Sequence, residues 1–244
     1  MPDRGAPLGA RRALPVAVAA VVVLLAGFGV LLFGVLAGNG ITAADAPLDR
    51  WLAAHREGWL TSAFRAVTAL GSALVLGLLA VAVAAVAGWA VRSWRPVLVC
   101  AAGALGAEVL IWGIKGLVGR PRPPASIAVV HARGASFPSG HALGSAAVVL
   151  VAAWLLGRRA RRPVVGAGLL GAAVLFIAAV GFSRLYLGVH YLSDVLAGWL
   201  LGIAWAAIVV GADLWWRRAG GRQASLDRIG EARQAEAVRR ADAG

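Results

Sequence analysis

Long apolar runs separated by short polar stretches set the organisation of this chain. They cover residues 13–37, 66–91, 97–118, 142–156 with its flanks, 164–182 and 195–216. Most match or exceed the roughly 20 apolar residues that a helix needs to cross a bilayer. The pattern therefore predicts an all-α, polytopic membrane protein, a bundle of six transmembrane helices. Arg11 and Arg12 precede the first run and Ala-Ala-Asp-Ala follows it at 43–46, an arrangement resembling a secretory signal. The apolar stretch is longer than the roughly 7–15 residues of a signal core, so an uncleaved first span is expected.

Between the first two runs, Leu48, Trp51, Leu52, Trp59 and Leu60 recur at near-helical spacing. Asp45 suits the N-cap of such a segment, with Pro47 in its first turn. Its tryptophans predict a short helix lying at the membrane surface, the alternative being a connector that packs them on the bundle. Residues 217–244 are polar and rich in alanine and arginine, without a continuous apolar stripe, and are expected to form a frayed or disordered extension in preference to a lipid-surface helix. The expected organisation is a cytoplasmic N-terminus at 1–12, a six-helix membrane domain at 13–216 and a polar cytoplasmic tail at 217–244.

Composition agrees: 60% of residues are hydrophobic and 14% charged, and the mean hydropathy is +0.80, which excludes an ordinary soluble domain. The formal net charge of +13 raises nucleic acid as a partner. The basic residues, however, sit at the ends of apolar runs and not in aromatic-interleaved patches. Numbered along six spans, sixteen Lys and Arg fall on the side of the termini and eight on the other. The positive-inside bias then places both termini in the cytoplasm of a plasma-membrane protein. A single cysteine, Cys100, cannot form an internal disulfide, and no Cys or His cluster has metal-ligand spacing. No metal or cofactor is expected.

Three polar clusters carry the chemistry, each at the exterior end of a span. Lys115 and Arg122 flank the exit of the third span, where Pro121, Pro123 and Pro124 stiffen the chain. Alone, these are snorkelling anchors. Phe-Pro-Ser-Gly-His at 137–141 precedes the fourth span, and a helix N-terminus with Ser139, Gly140 and His141 suits an anion, although Pro-Ser-Gly is also an ordinary turn. The third cluster, Ser183 to Asp194, sets Arg184, His190 and Asp194 between apolar runs, where ionisable groups are costly without a task. Asp194, four residues after His190, shares a helical face with it and suits a carboxylate orienting an imidazole. Gathered in one volume, these cations fit a phosphate monoester, and two histidines fit its hydrolysis, one attacking phosphorus and one protonating the departing oxygen. Residue chemistry leaves open which histidine attacks.

Lys115 with Arg122-Pro123, Pro138-Ser139-Gly140-His141, and Ser183-Arg184 with His190 and Asp194 resemble the three signature motifs of the type 2 phosphatidic acid phosphatase family, which includes soluble vanadium haloperoxidases. The resemblance covers about residues 60–215. It implies that His190 is the nucleophile, forming a phosphohistidine, with Asp194 holding its ring, and that His141 is the general acid. It also implies that Lys115, Arg122, Ser139, Gly140 and Arg184 grip the phosphoryl oxygens, without a metal. The expected function is hydrolysis of a lipid phosphate or diphosphate at the exterior face. The alternatives are phosphotransfer to an acceptor alcohol, or a head-group transporter without chemistry. The six spans disfavour a haloperoxidase. Glu108, seven residues before Lys115 on the same helical face, is read as an interhelical hydrogen bonder or a partner for a nearby basic group, in preference to a substrate contact. Arg120, His131 and Arg133, in the loop beside the site, are read as exposed loop charge in preference to a role in steering anions.

Overall fold

A computed structural model describes the backbone of residues 8–241 and the side chains of residues 15–219. Helix α1 (Leu8–Ala37) is followed by a 3-10 turn (Gly40–Ala44), α2 (Asp45–Ala54), α3 (Gly58–Leu70), α4 (Ala73–Val91), α5 (Arg95–Val118), α6 (Gly140–Gly157), α7 (Pro163–Tyr186) and α8 (Leu192–Ala241). Six segments, Pro15–Ala37, Ala73–Val91, Arg95–Val118, Gly140–Gly157, Pro163–Tyr186 and Leu192–Ala219, are long and apolar enough to cross a membrane. No strand occurs among the described residues. The all-α, multi-pass architecture read from the apolar runs is the one observed.

In the unit that runs to Val209, α6 is the central helix. Every position from Ala142 to Val148 is buried, so this stretch is enclosed around its circumference. Helices α4, α5 and α7 pack on it. Helix α8 meets it at backbone distance: a Cβ at Gly198 would lie 2.8 Å from the Ser139 carbonyl oxygen, and one at Gly202 2.5 Å from that of Leu143. Such small-residue faces let membrane helices approach closely. The Ser139 N–H donates to the Asp194 carbonyl at 3.0 Å, which joins the starts of α6 and α8.

The second apolar run is not one helix, contrary to the 66–91 expectation. Helix α3 ends at Leu70, and α4 restarts at Ala73 with Ser72 Oγ accepting from the Val75 N–H at 3.4 Å. Gly71 closes α3 and Ser72 opens α4, and Gly71 is also pressed against α7, where a Cβ would lie 2.5 Å from Val180 Cγ1. The stretch after α1 likewise holds two helices where one was expected. Trp51 and Trp59 are 57% and 73% exposed, so they do not pack on the bundle, and indoles so presented suit a membrane interface. Asp45 is not the N-cap of α2, because Ala44 takes that position, and its buried carboxylate binds elsewhere.

The second unit begins at Val210, and its backbone is helical to Ala241, where a frayed or disordered extension was expected. Alanine, arginine, glutamine and glutamate dominate the stretch after Trp216, and these are strong helix formers. Arg217 Nε donates to Asp213 Oδ2 at 2.5 Å across one turn. Of the expected N-terminal segment 1–12, residues 1–7 lie outside the described residues.

Candidate active site

The three polar clusters meet at one end of the bundle. Helix α5 stops at Gly119, whose φ of 60° is the left-handed conformation of a helix end, and this leaves Lys115 in the last turn. The connection 119–139 then folds back towards the residues after α7. It docks because Gly188 has a φ of 71° and a Cβ there would lie 2.4 Å from the Ile127 carbonyl oxygen, a site only glycine fills. The Val129 N–H donates to the Leu187 carbonyl at 3.1 Å, pinning the connection beside His190.

His190 is 2% exposed and its two ring nitrogens face different partners. Arg122 Nη1 lies 3.0 Å from Nε2, and Asp194 Oδ2 lies 3.3 Å from Nδ1. A guanidinium can only donate, so Nε2 must accept and the ring proton belongs on Nδ1, facing the carboxylate. Burial pushes the imidazole down to about 3, with Asp194 opposing and Arg184 and Arg122 adding to the shift. The ring is therefore neutral at pH 7, with an Nε2 lone pair aimed at the cationic side. Asp194 Oδ2 also accepts the Tyr191 N–H at 3.0 Å, and the carboxylate is fully buried.

Arg122 is held mainly by carbonyls: Nε donates to Gly134 at 3.0 Å, Nη2 to Arg133 at 3.0 Å and Nη1 to Val189 at 2.8 Å. Lys115 Nζ donates to the Ala135 carbonyl. Arg184 Nη1 donates to Thr68 Oγ1 at 2.6 Å, while its buried Nε has no hydrogen-bond partner. Ser139 stands at the N-cap position of α6, yet its buried hydroxyl caps nothing and has no hydrogen-bond partner. Carbonyls and hydroxyls orient these cations without cancelling their charge. His141, in the first turn of α6, lies within the electrostatic reach of Arg184, His190, Arg122 and Lys115. Lys115 in turn senses Arg122, Asp194 and Arg184. The eight residues singled out from the three clusters thus gather in one neighbourhood.

A cavity of about 580 Å³ opens between α4, α5 and α6, with Lys115, Gly140 and His141 on its wall and apolar Leu76 and Ile111 beside them. Glu108 lines the same cavity two turns down α5. Its expected interhelical hydrogen bond is replaced by one within the helix, Oε2 accepting from Trp112 Nε1 at 3.2 Å.

Sequence reasoning missed four side chains here. Arg120, read as exposed loop charge, has a side chain only 13% exposed and donates to Asp194 Oδ1 at 2.5 Å and Asp45 Oδ2 at 2.8 Å. Burial works against the Arg120 cation, but Asp194 and Asp45 outweigh it and hold its pKa above the usual value. Ser193 donates to the same Asp45, and Thr68 accepts from Arg184. Only the second Arg in Arg-Pro-Arg-Pro belongs to the motif, and no linear spacing marks the first. Near this group Asp49 is buried with both oxygens lacking hydrogen-bond partners. Burial, then Asp45 and Asp194, push its carboxyl up to about 7.

A family model described as the PAP2 superfamily matches residues 66–218. Phosphatidylglycerophosphatase B of Bacillus subtilis (strain 168) is 30% identical over 194 residues, 76% of this chain and 91% of that protein. A decaprenylphosphoryl-5-phosphoribose phosphatase of Mycobacterium tuberculosis (strain ATCC 25618 / H37Rv) is 37% identical over 140 residues, 56% of this chain and 67% of that one. Among solved structures, a transmembrane PAP2-type phosphatidylglycerolphosphate phosphatase from Bacillus subtilis superposes with a TM-score of 0.73 at 29% identity, covering 79% of this chain and 95% of that chain. Aquifex aeolicus LpxE superposes with a TM-score of 0.51 at 26% identity, covering 69% and 95%.

Proposed function

The chain belongs to the PAP2 superfamily, and from that premise we propose that it hydrolyses the phosphomonoester or diphosphate of a membrane lipid through a phosphohistidine at the exterior face. The observation that carries the reading is the state of His190: a neutral ring whose Nε2 lone pair faces Arg122 while Nδ1 faces Asp194. In the first step Nε2 attacks phosphorus, the bond from phosphorus to the lipid oxygen breaks, and protonated His141 gives its proton to that oxygen. Asp194 balances the positive charge that attack brings to the His190 ring. A phosphoryl oxygen takes over the Arg122 Nη1 donor from His190, and Lys115, Arg184, Ser139 Oγ and the Gly140 N–H hold the remaining oxygens. Water then attacks the phosphohistidine, His141 accepts its proton, and orthophosphate leaves. No step requires a metal ion.

The lipid character of the substrate is supported by the apolar wall of the cavity beside Lys115 and His141 and by the substrates in the names of the relatives. The sixteen-to-eight division of basic residues supports an exterior site and cytoplasmic termini. The experiment is phosphate release by purified protein from a panel of lipid monophosphates and diphosphates, with a chelator present, beside His190→Ala. Release by the wild type and loss of both turnover and acid-quenched phosphoenzyme in the variant are expected. Turnover by His190→Ala at the wild-type rate would overturn the phosphohistidine, and abolition by chelator would overturn metal independence.

A further inference from the structure

Asp194 can orient His190 only if its own carboxylate is fixed, because the last torsion of an aspartate side chain is broad and nearly two-fold. One oxygen, Oδ2, faces His190 and the Tyr191 N–H. The other is held from outside the motif: Arg120 Nη1 donates to Oδ1 at 2.5 Å. Arg120 is itself fixed at three points. Nη2 donates to Asp45 Oδ2 at 2.8 Å, Nη1 also donates to Ser193 Oγ at 2.8 Å, and the guanidinium stacks 4.3 Å from the centre of the Tyr191 ring. Ser193 closes the ring, its N–H donating to Asp45 Oδ1 at 3.0 Å and its hydroxyl to Oδ2 at 2.5 Å.

Asp45 therefore caps a helix, but not its own. The Ser193 N–H belongs to the first turn of α8, where amides lack partners within the helix, and a carboxylate from α2 satisfies it. Arg120 lies between two buried carboxylates, one on α2 and one on α8. This separates it from Lys115, Arg122 and Arg184, whose hydrogen bonds leave their charge free for an anion.

We infer that Asp45 and Arg120 are positioning residues of the reaction: with Ser193 they clamp the Asp194 carboxylate so that its Oδ2 stays on the His190 ring. The inference rests on the phosphohistidine reading above. The side-chain hydrogen bonds of both residues run to Asp194, Ser193 and each other, so the clamp acts through Asp194 on the chemical step.

The test measures kcat and KM on a lipid phosphate for Asp45→Asn, Arg120→Gln, Arg120→Lys and Ser193→Ala, together with Asp194→Asn and the double variant Arg120→Gln/Asp194→Asn. Because a displacement of about 1 Å in a catalytic group costs roughly 10²-fold, Arg120→Gln is expected to lower kcat on that order with KM unchanged. Arg120→Lys, which keeps the charge, recovers part of the loss. The double variant is no slower than Asp194→Asn alone, because Arg120 has nothing left to position. Ser193→Ala deletes one hydroxyl and spares the ion pairs, so it reports on the clamp even if the charge variants do not fold. It is expected to lower kcat severalfold. Unchanged kcat in Ser193→Ala and Arg120→Gln, a loss expressed only in KM, or additive losses in the double variant would each overturn the inference. The parent reading fails separately, by wild-type turnover in His190→Ala.

Discussion

Replacing Asp194 by asparagine is the sharpest perturbation of this site, because it exchanges one oxygen for an amide nitrogen and reverses the hydrogen-bond logic around His190. In the wild type Oδ1 accepts from Arg120, and Oδ2 accepts the Tyr191 N–H and faces Nδ1. An asparagine supplies one acceptor and one donor. If its oxygen stays on Arg120, its amide group confronts the Tyr191 N–H and forces His190 Nδ1 to accept. The ring proton then moves to Nε2, where it opposes the Arg122 donor 3.0 Å away and removes the attacking lone pair. If the amide flips, His190 keeps its tautomer but two donors meet at Arg120, and a charge-assisted bond of about 1.5–3 kcal/mol is lost. The corresponding exchange in a serine-protease triad costs about 10⁴ in kcat through the wrong tautomer, which is about 5.4 kcal/mol of barrier. A loss of 10³- to 10⁴-fold is therefore expected here, read as the rate of phosphoenzyme formation in rapid-quench experiments, with KM little changed. Thermal unfolding of the same preparation checks that the fold survives. A folded Asp194→Asn enzyme that forms phosphoenzyme within tenfold of the wild-type rate would refute the tautomer argument.

Gly202→Val places a side chain where a Cβ already lies 2.5 Å from the Leu143 carbonyl; overpacking of this kind costs about 1–3 kcal/mol. It should lower the Tm and, by shifting α6 beneath His141, kcat as well; an unchanged Tm would contradict the close helix contact. Asp49 titrates near 7 in the folded protein against 3.8 unfolded, so the native state holds its proton more tightly. The stability this gives is full below the unfolded value and is lost as pH rises through about 7. Asp49→Asn should therefore raise Tm less at pH 5 than at pH 8, and an equal effect at both would dismiss the buried-proton account. Glu108→Gln keeps an acceptor for Trp112 but removes the charge from the cavity wall. Changed KM ratios across a lipid panel would show contact with substrate, and a change in Tm alone would show a structural role.

The apolar runs made the spans legible, because bilayer thickness imposes a length that composition reveals directly. The motif residues were legible for a similar reason: phosphate chemistry needs cations, imidazoles and a helix start, and each cluster is compact in the chain. What escaped depended on contacts between distant segments. Asp45 was read as a cap from its neighbours, and it is one, for an amide 148 positions away on α8. Arg120 was read as solvated charge because a loop position carries no sign of burial, yet it is the counter-ion of Asp194. The interruption at Gly71 and Ser72, by contrast, is a glycine C-cap followed by a serine N-cap, a two-residue signal inside a continuous apolar run. After Trp216 the lack of an apolar stripe predicts a frayed or disordered extension, whereas alanine, glutamate and arginine favour helix without one.

The way Arg122, Lys115 and Arg184 are anchored affects the end of the catalytic cycle as much as its beginning. Their hydrogen bonds run to carbonyl groups, a hydroxyl and the His190 ring and to no carboxylate, so the pocket carries a positive potential. A lipid head carrying two negative charges is drawn in by that field, and on the proposed chemistry the freed orthophosphate meets the same field on its way out. On the proposed function, added orthophosphate is expected to compete with substrate, and raising the ionic strength to speed departure while weakening capture.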